Sequence, residues 1–343
     1  GSSEYNKIKN LKIAFVVDEC HRAVTPGTKR ELERFFRNSL WYGFTGTPRF
    51  AEIVFEGLIE SEFEVTGLVC QNDKPAGRGN KMQTPHIVEI AKSHNIPVYQ
   101  FEKIREHIED FKNIDYDLAV TASYGKILPK SFLDLKPCIN VHPSLLPKYR
   151  GATPIQSALL NGDTETGVTI MKTEVGMDDG DIFVQRRVEV LPEEDYLSLL
   201  DRLAYIGLDL LLETLRKIEN GTAVRTKQDD SKATFVKLIQ KEDGLLDFSM
   251  PVASLVNKVR AFVESPVAYF FLGEDRIKVY KAKVGDMTIS APVGQILCTK
   301  KRFLIQACDG VFEVLRCQNA GGKTMDAASF LNGYRFKQMA VSK

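Results

Sequence analysis

Hydrophobic and polar positions alternate along this chain with two periods. Short apolar runs at residues 11–17, near 40–45, and at 64–70, 97–99 and 117–122 read as strands. Between them, apolar residues spaced three and four apart predict helices over 28–36, around 50–60, and over 86–94 and 103–112. Further on, a helix is expected at 152–161 and strands at 167–172 and 182–190. A long helix then runs over 193–219, opened by Pro192 and an acidic first turn and closed by Asn220-Gly221. Its apolar stripe (Tyr196, Leu199, Leu200, Leu203, Ile206, Leu210) predicts core packing. Strands alternating with helices of about ten residues imply parallel βαβ units, so the fold class is α/β with a doubly wound, mostly parallel sheet.

After residue 222 the pattern changes. Residues 222–240 are polar and aperiodic and read as a linker; a helix at 252–262 follows. Five short strands come next, at 267–273, 276–284, 292–299, 302–307 and 311–317, and a helical turn near 325–332. That series predicts a small C-terminal β-barrel of OB type. The expected organisation is an extension over 1–39, a catalytic domain over 40–222, a linker over 223–243 and the OB-like domain over 244–343.

Composition narrows the class. Of 343 residues, 43% are hydrophobic and 27% charged, which describes an ordinary globular chain large enough for two cores. The longest apolar runs fall well short of the roughly 18 residues a membrane span requires. The six cysteines are scattered, without a C-x-x-C pair, so reduced thiols, a cytoplasmic location and no metal site are expected. Net charge is +1, yet residues 241–343 carry 15 Lys and Arg against 10 Asp and Glu. That bias suits a solvated face and is compatible with a polyanion partner.

Candidate chemistry gathers at Cys138-Ile139-Asn140-Val141-His142-Pro143-Ser144-Leu145-Leu146-Pro147-Lys148-Tyr149-Arg150-Gly151. Asn140 and His142 are two apart in a strand, so they share a face at its carboxyl end, where open α/β sheets place their sites. An N-x-H pair alone is weak, since a strand-end histidine is most often only a satisfied core residue. Asp178, in Val175-Gly176-Met177-Asp178-Asp179-Gly180-Asp181, supplies a third group. The Gly46 turn is not a G-x-G-x-x-G fingerprint, so NAD is not indicated.

Two resemblances follow from the residues. Residues 11–21, a strand ending in Asp18-Glu19-Cys20-His21, resemble the second motif of superfamily-2 helicases. Leu40-Trp41-Tyr42-Gly43-Phe44-Thr45-Gly46-Thr47-Pro48 resembles the third, in the form found in type I restriction motor subunits. ATP hydrolysis needs a phosphate cradle, G-x-x-x-x-G-K-[ST]. Gly322-Lys323-Thr324 has only its tail, with Cys317 where the leading glycine belongs. Residues 1–39 are therefore read as an orphan strand–helix fragment without a role in the reaction.

From residue 40 onward the chain resembles the methionyl-tRNA formyltransferase family. The carriers are Gly46-Thr47-Pro48, Asp73-Lys74-Pro75-Ala76-Gly77-Arg78-Gly79, Tyr124-Gly125-Lys126-Ile127-Leu128-Pro129 and residues 140–151. Gly167-Val168-Thr169-Ile170-Met171, residues 175–181 and Val259-Arg260-Ala261-Phe262 complete the series. The run from Leu40 to Phe50 satisfies both patterns, so the chain reads as a chimera joined at a shared turn. The family resemblance implies formyl transfer from 10-formyltetrahydrofolate to the amine of methionyl initiator tRNA, by a monomer. It assigns catalysis to Asn140, His142 and Asp178, the folate-side loop to Ser144, Leu145, Leu146 and Pro147, and tRNA contact to Lys74, Arg78 and Lys81. The chemistry agrees with the residue types: an amide donor suits the oxyanion, and an imidazole with its carboxylate suits the proton transfer. His142-Pro143-Ser144-Leu145-Leu146-Pro147 is also similar to glycinamide ribonucleotide formyltransferase, which leaves a small-amine acceptor as the alternative. A non-catalytic nucleic-acid-binding fusion is the alternative from another class.

Overall fold

The computed structural model describes residues 11–17, 49–70, 72, 74–76, 81–101, 103–123, 128–287, 291–299, 301–334 and 340–341. In chain order they run through β1 (Lys12–Val16), α1 (Arg49–Ile59), β2 (Glu64–Cys70), β3 (Lys74–Ala76), β4 (Lys81–Gln83), α2 (His86–Ser93) and β5 (Val98–Gln100). Then come α3 (Ile108–Lys112), β6 (Leu118–Ala122), α4 (Lys130–Leu133), β7 (Cys138–His142), β8 (Arg150–Gly151) and α5 (Pro154–Leu160). Strands β9 (Glu165–Lys172) and β10 (Ile182–Glu189), helix α6 (Tyr196–Glu219) and β11 (Phe235–Val236) follow. The chain closes with α7 (Val252–Ala261), β12 (Tyr269–Leu272), β13 (Asp275–Val284), β14 (Phe303–Gln306), β15 (Val311–Gln318), β16 (Met325–Asp326) and α8 (Ala327–Gly333). They cluster into two units: residues 1–154, 166–188 and 200–238, and residues 155–165, 189–199 and 239–343.

The first unit is built on a seven-stranded sheet in the order β10-β9-β7-β6-β1-β2-β5. Strands β5, β2, β1, β6 and β7 are parallel, and β9 joins β7 antiparallel. From β1 the chain builds outward to β2 and β5, then crosses to β6 on the other side of β1. Ligand crevices in such sheets open at the carboxyl ends of the strands beside that reversal.

Residues 11–17 do not stand apart as the expected orphan fragment. They are the central strand of the sheet, paired in parallel with β2 on one side and β6 on the other. The reason is visible in the residues: beyond Lys12, the run Ile13-Ala14-Phe15-Val16-Val17 is apolar on both faces, and only a strand covered on both sides hides all of it. Every one of these five is at most 3% exposed. Ala14 and Val16 join a core with Val69, Phe111, Tyr116, Phe132 and Cys138, and Phe15 packs on Phe55 of α1 with ring centroids 5.0 Å apart. The second apolar run, near 40–45, and the helix expected over 28–36 lie outside the described residues.

In the second unit, β12, β13, β15 and β14 form an antiparallel sheet with β16 added beside β15, curling as an OB-like half-barrel. Phe248, Phe270, Phe303 and Phe312 fill it with edge-to-face contacts. The strand expected over 292–299 is reduced to single bridges at Gln295 and Ile296; Pro292 and the left-handed Gly294 (φ 82°) interrupt the extended backbone there. The fifth strand is instead Met325–Asp326, and Asp326 then caps α8 by accepting from the backbone N–H of Ser329 at 2.8 Å.

Candidate active site

Strand β7 alternates as its sequence predicts: Ile139 and Val141 are buried apolar residues, and Asn140 and His142 share the opposite face. Register completes the Asn140 environment. Thr121 of β6 lies opposite Asn140, and its hydroxyl donates to Asn140 Oδ1 at 3.0 Å. With Oδ1 facing that hydroxyl, the Nδ2 hydrogens are the amide's available donors among the described residues.

His142 is 4% exposed, and its Nε2 lies 3.0 Å from the backbone carbonyl of Tyr149. A carbonyl can only accept, so Nε2 carries the proton and the lone pair of the neutral ring is on Nδ1. Nδ1 faces Asp178 Oδ2 at 3.8 Å, an ion-pair distance once the ring is protonated, too long for a hydrogen bond. The bond that fixes the ring therefore comes from the Tyr149 carbonyl, not from the carboxylate. Asp178 is held separately: its Oδ2 accepts from the Gly151 backbone N–H at 2.8 Å.

The loop carrying Asp178 leaves β9 and is closed at its base by Lys172 N–H donating to Asp181 O at 2.8 Å. Asp178 itself is left-handed (φ 47°), an uncommon state for a residue with a Cβ. Gly180 has no room for a side chain, because a Cβ there would stand 1.9 Å from the Lys172 carbonyl oxygen.

Residues 143–151 form a tightly bonded turn. Ser144 Oγ donates to Lys148 O at 2.6 Å, and Thr169, opposite His142 on β9, donates its hydroxyl to Ser144 O at 2.6 Å. Gln185 Nε2 donates to Leu146 O at 2.7 Å. Ser144 and Leu146 are buried within the turn, while Leu145 and Pro147 are half-exposed. Of the four residues expected on the folate side, two thus shape the loop and two reach its surface. Residues 74–83 contain an antiparallel ribbon in which Lys74 pairs with Gln83 and Ala76 with Lys81. Arg78, at its tip in sequence, lies outside the described residues, as do Gly46-Thr47-Pro48 and Tyr124-Gly125-Lys126-Ile127.

His142 and Asp178 face each other at 3.8 Å, and Asn140 lies two residues before His142 on the same strand. Thr121, the Tyr149 carbonyl, the Gly151 N–H and Gln228, whose Nε2 donates to the Asp178 and Gly180 carbonyls at 2.8 Å, were missed. Thr121 had a signal, a lone hydroxyl inside the apolar strand Leu-Ala-Val-Thr-Ala; the backbone groups and Gln228 had none. Among the described residues no cluster of His, Cys, Asp and Glu could hold a metal ion, and no helix is long and apolar enough to cross a membrane.

Residues 43–215 match the Formyl transferase family and residues 238–335 its C-terminal domain, while residues 2–61 match the SWI2/SNF2 ATPase family. Methionyl-tRNA formyltransferase of Lactobacillus johnsonii is 43% identical over 295 residues, covering 84% of this chain and 94% of that protein. The enzyme of the same name from Trichlorobacter lovleyi is 40% identical, covering 85% and 93%. Among solved structures, HypX from Aquifex aeolicus in complex with tetrahydrofolic acid shares the fold with a TM-score of 0.62 at 16% identity; the match covers 94% of this chain. This chain spans about half of HypX, 47% of its length. An N-formyltransferase from Helicobacter canadensis gives a TM-score of 0.60 at 16% identity, covering 93% of this chain and 100% of that one.

Proposed function

This chain belongs to the formyl transferase family, and from that premise we propose that it transfers the formyl group of 10-formyltetrahydrofolate to the α-amine of methionyl initiator tRNA. The observation that carries the reading is the pairing of an available Asn140 amide donor with a His142 ring whose only lone pair is on Nδ1. The incoming amine forms a bond to the formyl carbon and gives a tetrahedral oxyanion, toward which the Asn140 Nδ2 hydrogens are the available donors. His142 Nδ1 takes the proton the amine sheds, with the Asp178 carboxylate facing it at 3.8 Å. Collapse of the intermediate breaks the bond to folate N10, which leaves with a proton returned by the imidazolium. The half-exposed Leu145 and Pro147 are assigned to the folate side, with the buried Ser144 and Leu146 holding the turn behind them.

The tRNA acceptor, rather than a small amine, is supported by relatives at 40–43% identity that align through the C-terminal domain. The Lys74–Lys81 ribbon with Arg78 is assigned to the acceptor stem. The enzyme acts as a cytoplasmic monomer; light scattering should return about its 38.6 kDa chain mass. The deciding experiment is formylation with charged initiator tRNA, charged elongator tRNA and a small amine as competing acceptors. Turnover confined to charged initiator tRNA is expected, and preference for the small amine would overturn the reading.

A further inference from the structure

The polar stretch after α6 reads in sequence as a connector, yet residues 226–237 are stitched to both loops of the site. Thr226 and Ile182 exchange backbone hydrogen bonds at 2.8 and 2.9 Å. Farther along, Thr234 accepts from the Tyr149 N–H at 2.8 Å through its hydroxyl, and β11 pairs with β8 in parallel. Between these anchors, Gln228 reaches the catalytic loop itself.

All four hydrogen-bonding positions of the Gln228 amide that matter here are filled. Nε2 donates to the carbonyl oxygens of Asp178 and Gly180, each at 2.8 Å. Oε1 accepts from Arg150 Nη2 at 2.7 Å and from Nε at 3.1 Å. The amide can be seated only one way, because a guanidinium has no acceptor and a carbonyl no donor. Arg150 is 4% exposed and is braced by Asp230 at 2.6 Å, so the orienting charge is itself fixed. Gln228 thus clamps the backbone on either side of Asp179, where Asp178 is left-handed and its carboxylate faces His142.

We infer that Gln228 is a positioning residue, which holds the Asp178 loop so that the carboxylate is registered against His142, with Arg150 setting the orientation of the clamp. The inference rests on the proposed roles of His142 and Asp178. Nothing in it requires Gln228 to touch either substrate. Replacement by glutamate keeps an acceptor for Arg150 but sets a carboxylate oxygen against two carbonyls, so it removes the clamp while retaining the charge partner.

The test is a cycle on formyl transfer by the full chain, with Gln228→Ala and Gln228→Glu each made alone and with Asp178→Ala. Misplacement of a catalytic group by about 1 Å costs on the order of a hundredfold, so each single change should lower kcat by roughly ten- to a hundredfold. KM for tRNA and for the folate donor should move by less than about threefold, because a positioning defect falls on kcat. In the Asp178→Ala background the same changes should alter the residual rate less than about twofold, because a clamp without its carboxylate has nothing left to position. Amide exchange at Gly151, whose N–H is bonded to Asp178, should accelerate in both Gln228 variants and reports on the loop without reference to activity. Full kcat in both variants, or an equal loss with and without Asp178, would overturn the positioning role. A normal rate in Asp178→Ala alone would instead bring down the site assignment on which it rests.

Discussion

The placement of residues 12–16 at the centre of the sheet makes a quantitative demand on Phe15. Its side chain is fully buried and its ring packs on Phe55 with centroids 5.0 Å apart, tilted by 33°. Cutting it to alanine forfeits the transfer free energy of a phenyl ring, about 2–3 kcal/mol for a fully buried large side chain. The pair with Phe55 adds roughly 0.5–1.5 kcal/mol. A cavity that relaxes to about 50 Å³ costs about 1 kcal/mol more at roughly 24 cal/mol per Å³. Phe15→Ala should therefore destabilise the first unit by about 4 kcal/mol, within the usual range for such changes. In urea, with a slope of about 2 kcal/mol per M, the midpoint of that unit should fall by about 2 M. Circular dichroism can follow the transition, with Val224→Ala, at 77% exposure, as the silent control. Activity measured across the same titration should collapse with the earlier transition. A midpoint shift equivalent to less than about 0.5 kcal/mol, the level of a surface change, would refute the assignment of Phe15 to the core.

Four other outcomes are expected. Asn140→Ala should lower turnover by about 10²–10³, the cost of one oxyanion donor, with folate affinity retained in equilibrium binding. Losses from His142→Ala and Asp178→Ala should not add in a double-mutant cycle, and fully additive losses would show that they act separately. Arg78→Ala should weaken transfer to tRNA by roughly 1–3 kcal/mol while leaving donor binding intact, and an equal loss with a small-amine acceptor would count against a tRNA contact. Burial pushes the Cys138 thiol up to about 12, so in the native state at pH 8 an alkylating reagent should modify exposed Cys308 and spare Cys138 until the protein unfolds, as peptide mapping would show.

The pattern of apolar positions determined the alternation of strands and helices, and with it the parallel sheet, because a run apolar on both faces is stable only between neighbouring strands. The spacing of Asn140 and His142 also determined that they share a face, since side chains in a strand repeat every two residues. Which strand neighbours which could not be read so directly. Residues 11–17 carry a helicase-like signature, but their burial requirement is indifferent to that resemblance, and the sheet accepts whatever apolar run fits between β2 and β6. The site divides the same way. Side-chain chemistry singled out Asn140, His142 and Asp178, whereas the ring of His142 is oriented by the Tyr149 carbonyl and Asp178 is held by the Gly151 N–H and Gln228. Every residue carries backbone donors and acceptors except proline, which lacks the donor, so sequence cannot say which are used. Gln228 lies 50 positions from Asp178 along the chain, and only the folding of that polar stretch back across the loop decides that its amide meets the two carbonyls.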